Sequence, residues 1–165
     1  MTQDMLFLYL KILLILGTAN FLPILARMLL KDKFATPVDM GILFMDNRRL
    51  FGPHKTWRGI LFSIAGTSIF SSFLGFHPIT GMKIAFFSMM GDLTASFIKR
   101  RMGLASGAKA TGIDQVIEAA LPLVILKNEL VIDWPDIIIV VIIFSVAERI
   151  LSVPLYKLGI RRNPH

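Results

Sequence analysis

Five long apolar runs, at residues 5–30, 60–76, 82–98, 113–130 and 136–156, leave this chain few ways to fold. Helical segments of roughly this length match the hydrocarbon thickness of a bilayer. In lipid every backbone N–H and C=O must find its partner inside the protein, which a helix achieves within one segment. The expectation is an all-α polytopic membrane protein with five transmembrane helices, forming one integral membrane domain over residues 1–165. The first run is too long for a cleavable leader and has no Lys or Arg ahead of Lys11, so it reads as a membrane helix. Hydrophobic residues make up 55% of the chain and charged residues only 18%, yet the net charge is +7. The cations must therefore be concentrated. They lie in segments between apolar runs, which argues against a nucleic-acid partner. With no cysteine, disulfides and thiolate metal sites are excluded.

The placement of the cations orients the helices. Segments 31–58, 99–112 and 157–162 fall on one side of a five-helix threading and carry six, four and three Lys or Arg. The other side carries Lys127 alone. The positive-inside rule then puts the N-terminus outside and the C-terminus inside. The 31–58 insert and the 99–112 loop become cytoplasmic, and the expected site sits at the cytoplasmic face of the cell membrane.

Several residues break the apolar runs. Pro23 frees the carbonyl of Ala19. Asn20 can reach a polar cavity or bond a neighbouring helix. Ser63, Thr67 and Ser71 are four apart, a small-residue face suited to close packing. Glu148 and Arg149 lie deep in the last run; Glu148 reads first as the partner of a cation.

The chemistry is concentrated between Gly91 and Glu118. Asp92, Ser96 and Lys99 share one helical face, as do Asp114 and Glu118 on the next helix. The intervening loop makes the two helices antiparallel neighbours. A carboxylate inside a membrane segment is costly and marks a functional site by default. Asp92 and Asp114 can approach closely enough to hold a hard divalent cation, and oxygen donors without His or Cys favour Mg²⁺. Lys55, Arg58, Lys99 and Arg100 can surround phosphates brought in with the metal. Asp114 also closes a Thr111-x-x-Asp114 capping box, so a cap and a ligand both remain open for it. Ser96 can bond back to its own helix. The block Gly52-Pro53-His54-Lys55-Thr56 is not a P-loop, because His54 and Arg49 stand where that motif needs glycine. It still offers Lys55, Thr56 and Arg58 to an anion where a helix opens.

Gly91-Asp92, the Ser96-Phe97-Ile98-Lys99-Arg100-Arg101 run and an acid opening the next helix resemble the signature region of the CTP-dependent phosphatidate cytidylyltransferases. The resemblance is closer to their archaeal branch, the CDP-archaeol synthases, in which Gly52-Pro53-His54-Lys55-Thr56-Trp57-Arg58-Gly59 resembles the second recognisable block. It covers nearly the whole chain. It implies attack by the phosphate of 2,3-di-O-geranylgeranylglycerol 1-phosphate on the α-phosphorus of CTP, with release of pyrophosphate. On matching positions it implies Asp92 and Asp114 as Mg²⁺ ligands. Ser96, Lys99 and Arg100 would contact phosphates, with Lys55, Thr56 and Arg58 from the other block. Lys99, Asp92 and Asp114 would carry the catalysis. The bacterial pattern ends in two aspartates three apart; here Glu118 is displaced by one residue and is the lesser candidate ligand. Two other readings stay open. A CTP-dependent polyprenol or lipid-alcohol kinase would release CDP. A small non-enzymatic transporter would line a polar route with Asp92, Glu148 and Arg149.

Overall fold

A computed structural model describes residues 3–104 and 112–157, with side chains to residue 152. Six helices follow in order: α1 (Gln3–Leu30), α2 (Trp57–Phe73), α3 (Pro78–Arg101), α4 (Ile113–Ile125), the short α5 (Lys127–Leu130) and α6 (Trp134–Lys157). No strand forms among the described residues beyond two isolated bridges, Pro37 with Thr56 and Leu43 with Arg49. Each helix from α1 to α4 packs on the next, α1 also touches α3 and α6, and α4 touches α6.

The helix boundaries differ from the apolar runs because capping chemistry sets them. Thr56 is extended and its hydroxyl accepts from the Gly59 N–H at 3.4 Å, so α2 opens at Trp57 and not at residue 60. The helix closes at Phe73, three residues before the apolar run ends. His77 caps α3 with its Nδ1 accepting from the Ile79 N–H at 3.3 Å, and Pro78 takes the first helical position. At its other end α3 runs through Lys99, Arg100 and Arg101, which the apolar pattern placed in a loop. These cations sit on the negative end of the helix dipole. The run 113–130 divides at Leu126, giving α4 and α5. Gly112, with φ of 92°, precedes α4 with no side-chain cap; Thr111, the expected capping residue, lies outside the described residues.

The bundle sets buried hydroxyls beside an apolar centre and is apolar on its outer surface. Ile12, Ile15, Leu16, Ile84, Leu123, Val140 and Phe144 form an apolar centre. Beside it Ser63, Thr67, Ser71, Ser88 and Ser96 are buried. Leu6, Phe7 and Leu10 on α1, Leu61, Ile69 and Phe73 on α2, and Ile138, Ile142 and Ile150 on α6 face outward. A water-soluble domain rarely exposes so continuous an apolar surface. By length and composition α1 can cross a membrane. The α2 and α4 helices have 17 and 13 residues. The Ser63 hydroxyl donates to the Ala19 carbonyl at 2.7 Å, repairing the hydrogen bond that Pro23 removes.

Residues 31–58 fold back on the end of α3. The Arg48 guanidinium donates to the Arg100 carbonyl at 3.2 Å, capping the helix from outside. In return Arg101 donates to the Arg49 carbonyl at 2.9 Å and pairs with Asp46 at 3.1 Å. The same guanidinium lies 4.7 Å from the Phe44 ring and 4.9 Å from the Phe97 ring.

Candidate active site

The site begins with a missing side chain. A Cβ on Gly91 would lie 2.7 Å from the Ile117 carbonyl oxygen and 3.0 Å from the Glu118 Cα. Glycine therefore lets the α3 and α4 backbones touch, and the contact sets Asp92 beside Glu118, within hydrogen-bonding reach. Adjacent carboxyl groups call for a cation or a proton between them. A third helix joins here: the Asn20 side-chain amide donates to Glu118 Oε2 at 3.0 Å. The Ser88 hydroxyl donates to Asn20 Oδ1 at 3.5 Å. Asn20 thus does both things its sequence position allows. The one-residue displacement of Glu118 leaves it within the cluster.

Two lysines meet the acids, and their pairing differs from the helical-face expectation. Lys99 shares a face with Asp92, but its ammonium goes to Asp114 Oδ2 at 2.6 Å. Asp92 is held by Lys55, which contacts both its oxygens at 2.5 Å. Burial works to strip the Lys55 proton, but the charges of Asp92, Glu118 and Asp114 outweigh it and hold its pKa above the ordinary lysine value.

Lys55 is positioned by the insert, whose hub is Asp39. This side chain is fully buried. It accepts from the backbone N–H of Gly52 at 2.8 Å, Phe51 at 3.2 Å and Gly41 at 3.1 Å, and from Arg49 at 2.5 Å. Burial alone would raise its pKa, but these donors together lower it from 3.8 to about 2. A depressed carboxylate stabilises the fold above its unfolded pKa and loses that contribution as pH falls through the folded value. The shift corresponds to about 2 kcal/mol. Unfolding followed between pH 5 and pH 2 should show wild-type stability falling by about this amount, and Asp39→Asn should be less stable at pH 5 and flatter across the range.

A cavity of about 510 Å³ opens onto these groups, within the size range of small-molecule sites. Lys55, Thr56, Arg58, Asp92, Asp114 and Glu118 all line it. Ser96, Lys99 and Arg100 do not, although Lys99 reaches its edge through Asp114. Sequence reasoning assigned no site role to Arg27, Lys31, His54 or Gln115, which also line the cavity, as does Glu148. A signal was present for two of them. Asn20, Arg27 and Lys31 fall seven and four residues apart on one helical face. Arg58 is buried, and its Nη1 donates to the carbonyls of Lys31 at 2.6 Å and Lys33 at 2.5 Å.

Among the described residues no three His, Cys, Asp or Glu side chains are already arranged as a metal cage. The donors nonetheless suit a hard cation. Asp92 and Asp114 each hold a positive group, and Asp114 Oδ1 is buried with no hydrogen-bond partner among the described residues. Carboxylate oxygens without nitrogen or sulfur fit Mg²⁺.

Comparison with known proteins places this geometry in context. The model of the CarS-like CDP-archaeol synthase family matches residues 4–76 and 69–165. A CDP-archaeol synthase of Sulfurisphaera tokodaii is 36% identical over 141 residues, covering 80% of this chain and 83% of that protein. One from Pyrobaculum islandicum is 29% identical over 145 residues, covering 81% and 85%. A solved structure of an intramembrane enzyme for archaeal membrane lipids biosynthesis shares the fold, with a TM-score of 0.69 at 21% identity, over 84% of this chain and 91% of that one. The family match spans both the Lys55 block and the two acid-bearing helices, and the chain belongs to the CDP-archaeol synthase family.

Proposed function

We propose that this enzyme transfers CMP from CTP to 2,3-di-O-geranylgeranylglycerol 1-phosphate at the cytoplasmic face of the membrane. The products are unsaturated CDP-archaeol and pyrophosphate. The observation that carries the reading is a single cavity with acids and lysines around it, in a chain of this family. A phosphate oxygen of the lipid forms a bond to the α-phosphorus of CTP. The bond from that phosphorus to the bridging oxygen of the β-phosphate breaks, and the electron pair leaves with pyrophosphate. No protein nucleophile is needed, because the attacking phosphate is already anionic.

Asp92 and Asp114 are the Mg²⁺ ligands in this proposal, with Glu118 beside them. When bound, the metal neutralises triphosphate charge and orients the α-phosphorus. Lys55 and Lys99 already stand at these carboxylates and are placed to take up phosphate charge as the nucleotide arrives. The Thr56 hydroxyl and the opening turn of α2 offer further donors. Ser96 and Arg100 are both buried and lie outside the cavity lining.

The membrane reading is five spans, formed by α1, α2, α3, the α4–α5 pair and α6, with the N-terminus outside. The outward apolar faces and the one-sided distribution of Lys and Arg support it. Under this topology the cavity opens where nucleotides are found.

The test uses purified protein in detergent with CTP, Mg²⁺ and the geranylgeranylated glycerol phosphate. Pyrophosphate and a CDP-lipid of the expected mass should appear in equal amounts, and chelating the metal should stop both. Release of CDP with phosphorylation of a lipid alcohol would replace this reading with the kinase.

A further inference from the structure

We propose that the cationic end of α1, Arg27 with Lys31, is the subsite for the phosphate of the acceptor lipid, and that Arg58 is a positioning residue that holds Lys31 there. The proposal rests on the reaction above; Arg27 and Lys31 lie outside the two sequence blocks, and Arg58, inside one of them, takes a different role.

The first observation is the polarity of one wall. Asn20, Pro23, Ile24 and Arg27 line the cavity from α1, and Lys31 joins them from the residue that follows its last turn. Asn20, Ile24 and Arg27, at spacings of four and three with Pro23 beside Ile24, form one continuous face of the helix, and Lys31 follows four residues on, just past its end. Along that face the lining changes from apolar at Pro23 and Ile24 to cationic at Arg27 and Lys31. Ile24 and Lys31 are seven residues apart, about 10 Å along the axis. Met89 and Leu93 add apolar surface from α3. An anionic head with a hydrocarbon tail fits such a wall; a triphosphate does not use its apolar part.

The second observation is charge sorting across the cavity. Asp92, Asp114, Glu118 and Glu148 are contributed by α3, α4 and α6. Those acids favour a nucleotide that arrives with its metal and repel a bare phosphate. The α1 wall is the complement. Asp32, exposed at the same lip, is the acid on that side. Lys31 has no ion-pair partner among the described residues.

The third observation explains why Lys31 is where it is. Its φ is 48°, a left-handed conformation that residues other than glycine adopt only when held. Arg58 supplies the hold. Its buried Nη1 bonds the carbonyls on both sides of Asp32, at Lys31 and Lys33. The resemblance implies that Arg58 touches phosphate. The geometry gives it a backbone to fix instead, and the effect on phosphate passes through Lys31.

Steady-state kinetics of the full chain separate these roles. Lys31→Gln should raise the KM for the lipid phosphate about tenfold or more, the loss expected for one charge-assisted hydrogen bond, with the KM for CTP within about twofold of wild type. Lys31→Arg should restore most of the lipid KM. Arg58→Gln should copy Lys31→Gln, and adding Lys31→Gln to it should cost little more. A rise in the CTP KM equal to or larger than that for lipid would overturn the subsite, as would unchanged lipid kinetics in Lys31→Gln. Equilibrium binding of the same lipid phosphate, without CTP, gives a readout that needs no turnover. Weaker binding in Lys31→Gln, beside a wild type that binds but forms no CDP-lipid, would sustain the subsite and remove the reaction. Bare glycerol 1-phosphate as competitor distinguishes a lipid site from a phosphate site. Competition as strong as that of the lipid would overturn the role given to Pro23 and Ile24.

Discussion

Asp92→Asn should lower the rate of CDP-lipid formation at least about 10³-fold while leaving the protein folded. Asn keeps the shape of Asp but removes the charge and one acceptor. Both oxygens of Asp92 are in use, since Lys55 contacts each of them, and Glu118 lies alongside. The substitution therefore weakens the metal and misplaces the lysine that answers the nucleotide's phosphates. Several kcal/mol of transition-state stabilisation depend on those two together. The fold should survive because the Lys55 charge is not stranded: Glu118 and Asp114 remain near it. Thermal unfolding in detergent should shift by no more than a few degrees. Pyrophosphate release and product mass give the rate. A folded Asp92→Asn protein retaining more than about a tenth of wild-type activity would remove Asp92 from the chemistry.

Gly91→Ala should damage both the packing of α3 on α4 and the activity. The added Cβ meets two backbone atoms of α4, at 2.7 and 3.0 Å, and backbone cannot rotate away as a side chain can. The helices must separate, at a cost of about 1–3 kcal/mol for overpacking. Separation also carries Asp92 away from Glu118, and a misplacement of about 1 Å can reduce rate about 10²-fold. Activity should thus fall further than stability explains. Gly17→Ala is the matched control, because nothing lies within 4 Å of the position its Cβ would take. Alanine there should leave activity unchanged and raise helix stability by up to about 1 kcal/mol. Equal behaviour of the two variants would show that close approach at Gly91 does not set the carboxylates.

How much of this was legible in the sequence follows from what a sequence pattern can carry. Apolar length and helical spacing gave the all-helical class and the shared face of Asp92, Ser96 and Lys99, but not the division of the run 113–130 into two helices. They did not say which neighbour a face would meet. Asp92 pairs with Lys55, 37 residues away, and Lys99 with Asp114. Local periodicity contains no term for either choice. The Ala19 carbonyl was legible as a defect from Pro23 alone, but its partner Ser63 lies 44 residues on. Arg58 illustrates the opposite limit. A guanidinium near a helix start looks the same in sequence whether it binds phosphate or backbone. In the structure one of its nitrogens meets the Lys31 and Lys33 carbonyls while the residue also lines the cavity. Helix ends were misplaced where a polar cap, Thr56 or His77, overrode the edge of the apolar run.

The hydroxyl of Ser63 has a consequence for how the protein is made. Synthesis proceeds from the N-terminus, so α1 is complete before Ser63 exists. During that interval the Ala19 carbonyl has lost its helical partner to Pro23, and in hydrocarbon an unmet carbonyl costs several kcal/mol. An early α1 is best kept near water or the insertion machinery until α2 emerges. Pairing of these two helices then removes the defect in one contact, and Gly59, where an added Cβ would lie only 3.2 Å from the Pro23 Cβ, closes the same seam. The wall that carries Arg27 and Lys31 is in place first, and α3 and α4 bring the acids to it afterwards.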